Sequence, residues 1–333
     1  MVKLSTGQAL QSALDMALSL DETVFIAGEG VGTSIHLDPN LPTHGLLEKY
    51  GPKRVKDTPV SEAAIAGLAV GASAMGLRPV VEIMFFPFIT LASDMLVNHA
   101  AKLRYMSGGK NAFPLTVRVK AGVNFGAGCQ HSHNLEAWIA HIPGLKLVFP
   151  SNPLDAKGLL LSSIFDPNPV VFVEEMLLYW MPGEVAEGDF RVPIGKASVV
   201  RAGKDCTLVS YGGAVHTALH AAEILDTEGI SLEVIDLRTL VPLDESCVLD
   251  SIKKTGRLIV LHDATRFCGF GAEIAAIASE KAFDALKAPV MRVAAPDIPV
   301  PVSPPQEQFY KPDSDQVTEA VRAVMDPSVQ RRQ

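Results

Sequence analysis

Ser61-Glu-Ala-Ala-Ile-Ala-Gly67-Leu-Ala-Val-Gly71-Ala-Ser-Ala-Met-Gly76-Leu-Arg78-Pro-Val-Val-Glu82-Ile83 settles the fold class of this chain. From Ala63 to Leu77 no residue is charged, and the pattern reads as a helix entered at Glu62. The β-branched run Val80–Ile83 then reads as a buried strand. A helix feeding a short apolar strand is the unit of an α/β protein. The lone acid at the helix mouth is costly in such surroundings: burial raises the pKa of a carboxyl group and lets it hold or share a proton near neutrality, as general acid or base work requires. The competing reading is an ordinary first-turn Glu, favoured by the helix dipole and by Ser61 as a cap. Gly67, Gly71 and Gly76, with Ala66, Ala69, Ala72 and Ala74, leave little bulk on the helix. Each helical Gly costs about 1 kcal/mol against Ala, so close approach to another element is expected, within this subunit or from a second one.

The same alternation extends outward. Leu115–Val119, Leu145–Val148 and Pro169–Val173 are further strand-like runs, so a parallel sheet is expected. Gly183–Gly195, rich in Pro, Gly and acids, reads as a linker. After it the pattern restarts with a strand at Cys206–Tyr211, Gly212-Gly213, a helix at Val215–Leu225, and strands at Leu232–Asp236 and Arg257–His262. The expectation is two doubly wound α/β domains, 1–182 and 196–333, joined by a linker at 183–195. Pro296–Pro305 reads as an extended surface stretch.

The 333 residues, 48% hydrophobic and 20% charged, can bury a sizeable core. A net charge of −8 without a Lys/Arg block excludes a nucleic-acid footprint and a polybasic membrane patch. The apolar stretch from Ala63 is broken too early to span a bilayer. Cys129, Cys206, Cys247 and Cys268 lack metal-ligand spacing and read as free, mostly buried thiols; with no signal peptide in view, the expected address is cytoplasmic. The segment Ser5-Thr-Gly-Gln reads as a capped helix start.

Several segments, in order, carry a family resemblance. Arg54-Val-Lys-Asp-Thr-Pro-Val-Ser-Glu62 with the helix after it, Asn98-His-Ala-Ala-Lys-Leu-Arg, Gln130-His-Ser, Glu136-Ala-Trp-Ile-Ala-His141, Pro153-Leu-Asp-Ala-Lys-Gly and Asp236-Leu-Arg-Thr-Leu-Val-Pro-Leu-Asp244 are similar to the beta subunit of thiamine diphosphate-dependent 2-oxo acid dehydrogenases, of the pyruvate and acetoin dehydrogenase type. The resemblance spans about Ser5 to Pro312. It implies a transketolase-like pyrimidine-binding domain followed by a transketolase C-terminal-like domain. It further implies that Glu62 hydrogen-bonds the cofactor's aminopyrimidine ring and stabilises its imino form, that Phe88 stacks on that ring, and that Val60 and Met84 line the same slot. By the same resemblance His131, in the glycine-rich Gly126–His133 segment, assists proton transfer or steadies charge on the substrate. Leu115, Ser163, Ile164, Asp166 and Asn168 fall where family members bind potassium.

The chain has no Gly-Asp-Gly motif of the kind that holds magnesium on the diphosphate, and Gly28-Glu-Gly30 is not a substitute. The resemblance therefore implies an alpha subunit that carries the magnesium and diphosphate ligands in an α2β2 assembly. The implied reaction is decarboxylation of a 2-oxo acid with transfer of the acyl unit to a lipoyl acyltransferase. Departures leave two alternatives open. Lys120 replaces a commonly small or Pro residue, Phe85, Pro87 and Phe125 depart from the family's usual choices, and the loop Thr33–His44 is atypical. One alternative is transfer from acetoin or a ketose phosphate to an acyl carrier protein; the other is a non-catalytic, partner-stabilising subunit. His133 departs from the family's usual Gln.

Overall fold

A computed structural model describes residues 1–32, 38–123 and 126–326. Part of the atypical loop (33–37) and Phe125 lie outside the described residues. Two compact units emerge. The first takes Met1–Gly122, Trp138–Ile194 and Leu240–Pro242, and the second takes Val123–Ala137, Gly195–Thr239 and what is described from Leu243 onward.

In chain order the first half runs β1 (Val2–Ser5), α1 (Thr6–Leu20), β2 (Val24–Gly28), α2 (Leu46–Tyr50), β3 (Val55–Asp57), α3 (Glu62–Ala74), β4 (Arg78–Ile83), α4 (Ala101–Met106) and β5 (Leu115–Ala121). Then come α5 (Cys129–Ser132), α6 (Glu136–Ala140), β6 (Lys146–Val148), α7 (Pro153–Ile164), β7 (Pro169–Glu175) and β8 (Pro182–Val185). The second half holds β9 (Ser198–Arg201), β10 (Cys206–Ser210), α8 (Ala214–Asp226), β11 (Leu232–Asp236), β12 (Thr239–Val241), α9 (Glu245–Thr255), β13 (Leu258–Thr265), α10 (Phe270–Lys281), β14 (Met291–Ala295), α11 (Pro304–Tyr310) and α12 (Ser314–Met325).

The first unit is built on a sheet of order β12-β6-β7-β5-β4-β2-β3. Every pairing from β6 to β3 is parallel. Its central strands β2, β4, β5 and β7 are buried along almost their whole length because both faces are covered. On one face α1 packs on α7, and Leu10, Leu14, Leu18, Ile26, Val80, Leu160 and Phe172 share one core. The N-terminus of α1 is closed by a capping box between Ser5 and Gln8, as the sequence led us to expect. The stretch read as an aperiodic linker differs at its start: Pro182–Val185 forms β8, antiparallel to β1, because Val185 finds a buried place that the Pro and Gly around it do not advertise.

The second unit has a sheet of order β14-β13-β10-β11-β9, parallel except at the edge strand β9. Leu208, Leu232, Val234, Ile259 and Leu261 pack beneath α8 and α12 in its core. The proline-rich segment is not wholly superficial, since Val300 is buried with Val123, Ala295 and Tyr310. All four cysteines are free, but Cys129 and Cys268 are exposed and Cys247 half-buried, so only Cys206 meets the expectation of burial. Its thiol is pushed up to about 12, chiefly by that burial. Among the described residues no helix is long and apolar enough to cross a membrane.

Candidate active site at the carboxyl edge of the first sheet

Ligands of open α/β sheets bind outside the carboxyl ends of the strands, and in the first unit that edge collects charge. Glu29 follows β2, Glu62 opens α3, Glu82 lies near the end of β4, Lys120 near the end of β5, and Glu174 near the end of β7. The register aligns Gly28 with Glu82, Glu82 with Arg118, and Lys120 with Glu174. All of these charged side chains are buried, Glu62 to 5% exposure and Arg118 completely.

Arg118 organises the row. Its guanidinium donates to both oxygens of Glu174, at 2.5 and 2.9 Å, and to Glu82 Oε2 at 2.8 Å. Lys120 Nζ takes the other oxygen of Glu82 at 2.6 Å. The Tyr179 hydroxyl also donates to Glu174, and burial followed by the charge of Glu174 holds that phenol well above its usual range. Burying such ions is tolerable only because each finds an opposite charge.

Glu29 is the exception. Its Oε1 has no hydrogen-bond partner among the described residues. Burial, then the charges of Glu62 and Glu82, push its carboxyl up, against the pull of Lys120 and of the Ser61 backbone N–H it accepts. That last bond revises the local picture of α3: Ser61 occupies the cap position, but its side chain makes no capping bond. Gly28 is required at this point, because a Cβ there would come within 2.8 Å of the Glu82 carbonyl. Four buried carboxyls thus share two cations, an arrangement able to hold and pass a proton.

Of the other residues singled out from sequence, Met84 and Phe88 lie just beyond β4, both half-buried, and Phe88 meets Phe85 edge to face at 5.9 Å between centroids. Phe86, not Phe88, is the aromatic of this run that is wholly core. Val60 is 79% exposed, immediately before α3. A small apolar depression of about 210 Å³ runs along the same helix start, lined by Thr58, Pro59, Ser61, Ala64, Ile65 and Leu68. The helix glycines do not all serve packing within this chain: a Cβ on Gly71 would meet nothing within 4 Å, whereas Gly67 faces Met95. Leu68 on α3, and Met75 and Leu77 just after it, are also exposed, so uncharged surface is left open along and beyond the helix.

His131 sits on α5, in the second unit. Its segment is shaped by Gly126 and Gly128, at φ of 69° and 74°, and is tied down where Glu307 accepts the Gly126 N–H at 3.1 Å. His131 is half-buried and His133 exposed.

Leu115 and the segment from Ser163 to Asn168, which ends where β7 begins, lie at the opposite, amino-terminal edge of the first sheet, where Leu115 pairs with Pro169. The Asp166 carboxylate is already committed: Lys146 pairs with one oxygen, and the other accepts the backbone and side-chain N–H groups of Asn168 at 2.8 Å. Arg78 donates to the Ile164 carbonyl at 3.2 Å. A cation here would therefore be held by backbone carbonyls, and Asp166 would contribute its carbonyl and not its carboxylate. No group of three or more His, Cys, Asp or Glu side chains among the described residues could hold a metal ion.

Sequence reading missed Glu29, Glu82, Glu174 and the role of Arg118. The signal was present as charged residues inside fully apolar runs, such as Val80-Val-Glu-Ile83 and Leu115-Thr-Val-Arg-Val119, where a charge must find a buried partner.

Comparison with known proteins agrees with this architecture. Residues 2–180 match the transketolase pyrimidine-binding domain family, and residues 195–317 the transketolase C-terminal domain family. A subunit beta of acetoin:2,6-dichlorophenolindophenol oxidoreductase from Cupriavidus necator is 44% identical over 97% of this chain and 98% of its own length. The pyruvate dehydrogenase E1 component subunit beta of Rhizobium meliloti is 43% identical over 97% of this chain and 70% of its own. A solved structure described as a split gene transketolase, an inactive beta4 tetramer, superposes with a TM-score of 0.81 over 98% of this chain and 100% of its own at 21% identity, a likeness of fold alone. With both domains matched and near-full-length identity above two fifths, the chain belongs to the transketolase-like family of acetoin and pyruvate dehydrogenase beta subunits.

Proposed function

We propose that this chain is the beta subunit of a thiamine diphosphate-dependent enzyme that decarboxylates a 2-oxo acid and passes the acyl unit to a lipoyl carrier. The observation that carries the reading is Glu62, buried to 5% exposure at the carboxyl edge of a parallel sheet, within the electrostatic reach of an unpaired Glu29. When bound, thiamine diphosphate supplies the carbon nucleophile and the electron sink for loss of carbon dioxide.

The residues present fit the pyrimidine half of that cofactor. Glu62 would hydrogen-bond a ring nitrogen in a place from which water is largely excluded. Phe88 would offer an aromatic face for stacking, and Met84 and Val60, on either side of Glu62 in sequence, would line the slot. His131 is assigned to proton transfer or charge stabilisation at the substrate.

The diphosphate and its magnesium are assigned to an alpha subunit in an α2β2 assembly. Two features support a partner: the chain lacks the Gly-Asp-Gly motif, and Leu68 on α3, with Met75 and Leu77 just after it, is open to solvent. Potassium at the carbonyls of Leu115, Ser163, Ile164, Asp166 and Asn168 is assigned a structural role. The free thiols suit a reducing compartment such as the cytoplasm. Acetoin is retained as a second donor because the relative from Cupriavidus necator is named for it.

The test is to co-produce this chain with its alpha subunit and measure thiamine diphosphate binding, then carbon dioxide release from pyruvate and branched-chain 2-oxo acids and dichlorophenolindophenol reduction with acetoin. Binding that needs both chains, and turnover of at least one donor, is expected. Tight binding to this chain alone, or no turnover by the assembled pair, overturns the reading.

A further inference from the structure

The segment that carries His131 lies on a bed made by one stretch of the second unit, from the end of β14 to α11. Val123 is buried there with Ala295, Val300 and Tyr310. Gly128 sits against Val302: a Cβ on it would come within 2.7 Å of the Val302 side chain, and its φ of 74° suits glycine. The His131 N–H donates to the Gly128 carbonyl at 3.2 Å, so the place of the imidazole follows from where Gly128 is held. The far end is fastened as well, since the Tyr211 hydroxyl donates to Glu136 on α6 at 2.8 Å. The bed is stiff for a local reason: Pro296, Pro299, Pro301, Pro304 and Pro305 each fix their own φ.

Glu307, on α11, is the buried charged side chain of this bed, 2% exposed. Both of its oxygens accept the Gly126 N–H at 3.1 Å. Lys311, one helical turn on, pairs with Asp263 at 3.1 Å, and among the described residues Glu307 forms no ion pair of its own. A carboxylate withdrawn from water without a cation costs stability, and the charge-assisted bond to Gly126 is what offsets that cost. We propose that Glu307 is a positioning residue for His131: its carboxylate grips the Gly126 backbone and so fixes, through Gly128, the turn that presents the imidazole. For its consequence in the reaction this rests on the role of His131 proposed above; the hold itself does not.

The experiment reads amide hydrogen exchange residue by residue in the full chain, and then the kinetics of the assembled pair. In Glu307→Met the amides from Gly126 to His131 should exchange about tenfold faster or more, with the rest of the second unit unchanged. Glu307→Gln, whose amide oxygen can accept the same N–H, should keep the parent rates. In the assembled enzyme Glu307→Met should lower kcat by about 10- to 100-fold with KM shifted by less than about threefold, and Glu307→Gln should recover most of the loss. Added to His131→Ala, Glu307→Met should cost no more than about a further twofold, because the two residues act as one unit. Unchanged exchange in Glu307→Met, or a kinetic loss that multiplies in full with that of His131→Ala, overturns the proposal. If Glu307→Met does not fold, the parent decides: its Gly126 amide should exchange at least about 100-fold more slowly than an open amide, and exchange at the open rate overturns the proposal. Because exchange needs neither cofactor nor partner, an inactive pair with the expected exchange pattern counts against the proposed function and not against the hold of Glu307.

Discussion

The two units bury polar groups in opposite ways. In the first, buried carboxyls outnumber the cations beside them at the carboxyl edge of the sheet, and one oxygen of Glu29 is left without a partner. In the second, Thr207 on β10 touches Ser251 and Thr255 on α9 at 2.6 and 2.7 Å, Ser251 donates to Glu233 on β11, and Lys254 pairs with Glu233. That relay is complete and ends in a cation, so it fastens a helix to a sheet and has no proton to spare. The difference teaches where to look for chemistry: a closed network is scaffold, and a surplus of carboxyl groups at the strand termini is a site.

The largest effect should separate the two kinds of network by what they control. Glu62→Gln keeps the shape of the side chain and removes its ability to hold a proton. Activity of the assembled enzyme should fall by about 10²- to 10⁴-fold. The unfolding midpoint of the chain should stay the same or rise, since an amide of the same shape takes the place of the carboxyl group. A well-folded, fully active Glu62→Gln enzyme would remove the distinction altogether.

Arg118→Met attacks the same edge through its scaffold. Glu174 would keep only Tyr179, and Glu82 only Lys120, so two carboxylates lose their principal partner. The expected cost is roughly 3–5 kcal/mol, read as a lower denaturant midpoint with unchanged slope. A cost below about 1 kcal/mol would mean that the row is better solvated than its burial implies.

These two residues also show what was legible in the sequence. Glu62 could be found because it stands at a helix start followed by a long uncharged run, and periodicity exposes that arrangement. The α/β alternation, and with it both sheets, came from the same kind of signal. Arg118 and Glu82 were visible only as anomalies within strands, and their partners depend on the parallel register, which is a three-dimensional fact. Val185 was lost for the opposite reason, because its neighbours Pro182 and Gly183 disguise a strand that pairs with the chain's first residues. Asp166, which the family resemblance sets among the potassium residues, has its carboxylate paired with Lys146, a partner distant in sequence that no local pattern announces.

The second unit has one group whose titration can be read from outside. His262 is fully buried on β13, stacked on Tyr211 at 6.2 Å, with Nδ1 3.2 Å from the Ala264 carbonyl. That bond assigns the proton to Nδ1 and leaves Nε2 without a partner among the described residues. Gly269 and Gly271 are glycines because a Cβ on either would press on this imidazole at 2.7 to 2.8 Å, which gives the pair a packing role. Burial lowers the His262 pKa from 6.5 to about 4. The unfolded chain therefore binds a proton in this window that the folded chain refuses, so stability falls as pH drops from 6.5 towards 4. The loss should total on the order of 3 kcal/mol. His262→Asn should flatten that part of the stability profile, and an unchanged slope would show that carboxyl groups alone set it.

The smallest effect tests whether the closed relay is as inert as its geometry suggests. Thr207→Val preserves shape and deletes the hydroxyl that Ser251 and Thr255 both touch. Ser251 still reaches Glu233, and Thr255 still reaches the carbonyls of Ser251 and Arg257, so no hydroxyl is wholly stranded. The cost should be about 1 kcal/mol, measured by denaturant unfolding, with turnover of the assembled enzyme unchanged. Equal stability with lost turnover would reverse the comparison, because the second unit's closed network would then be serving the reaction as the carboxyl edge of the first does.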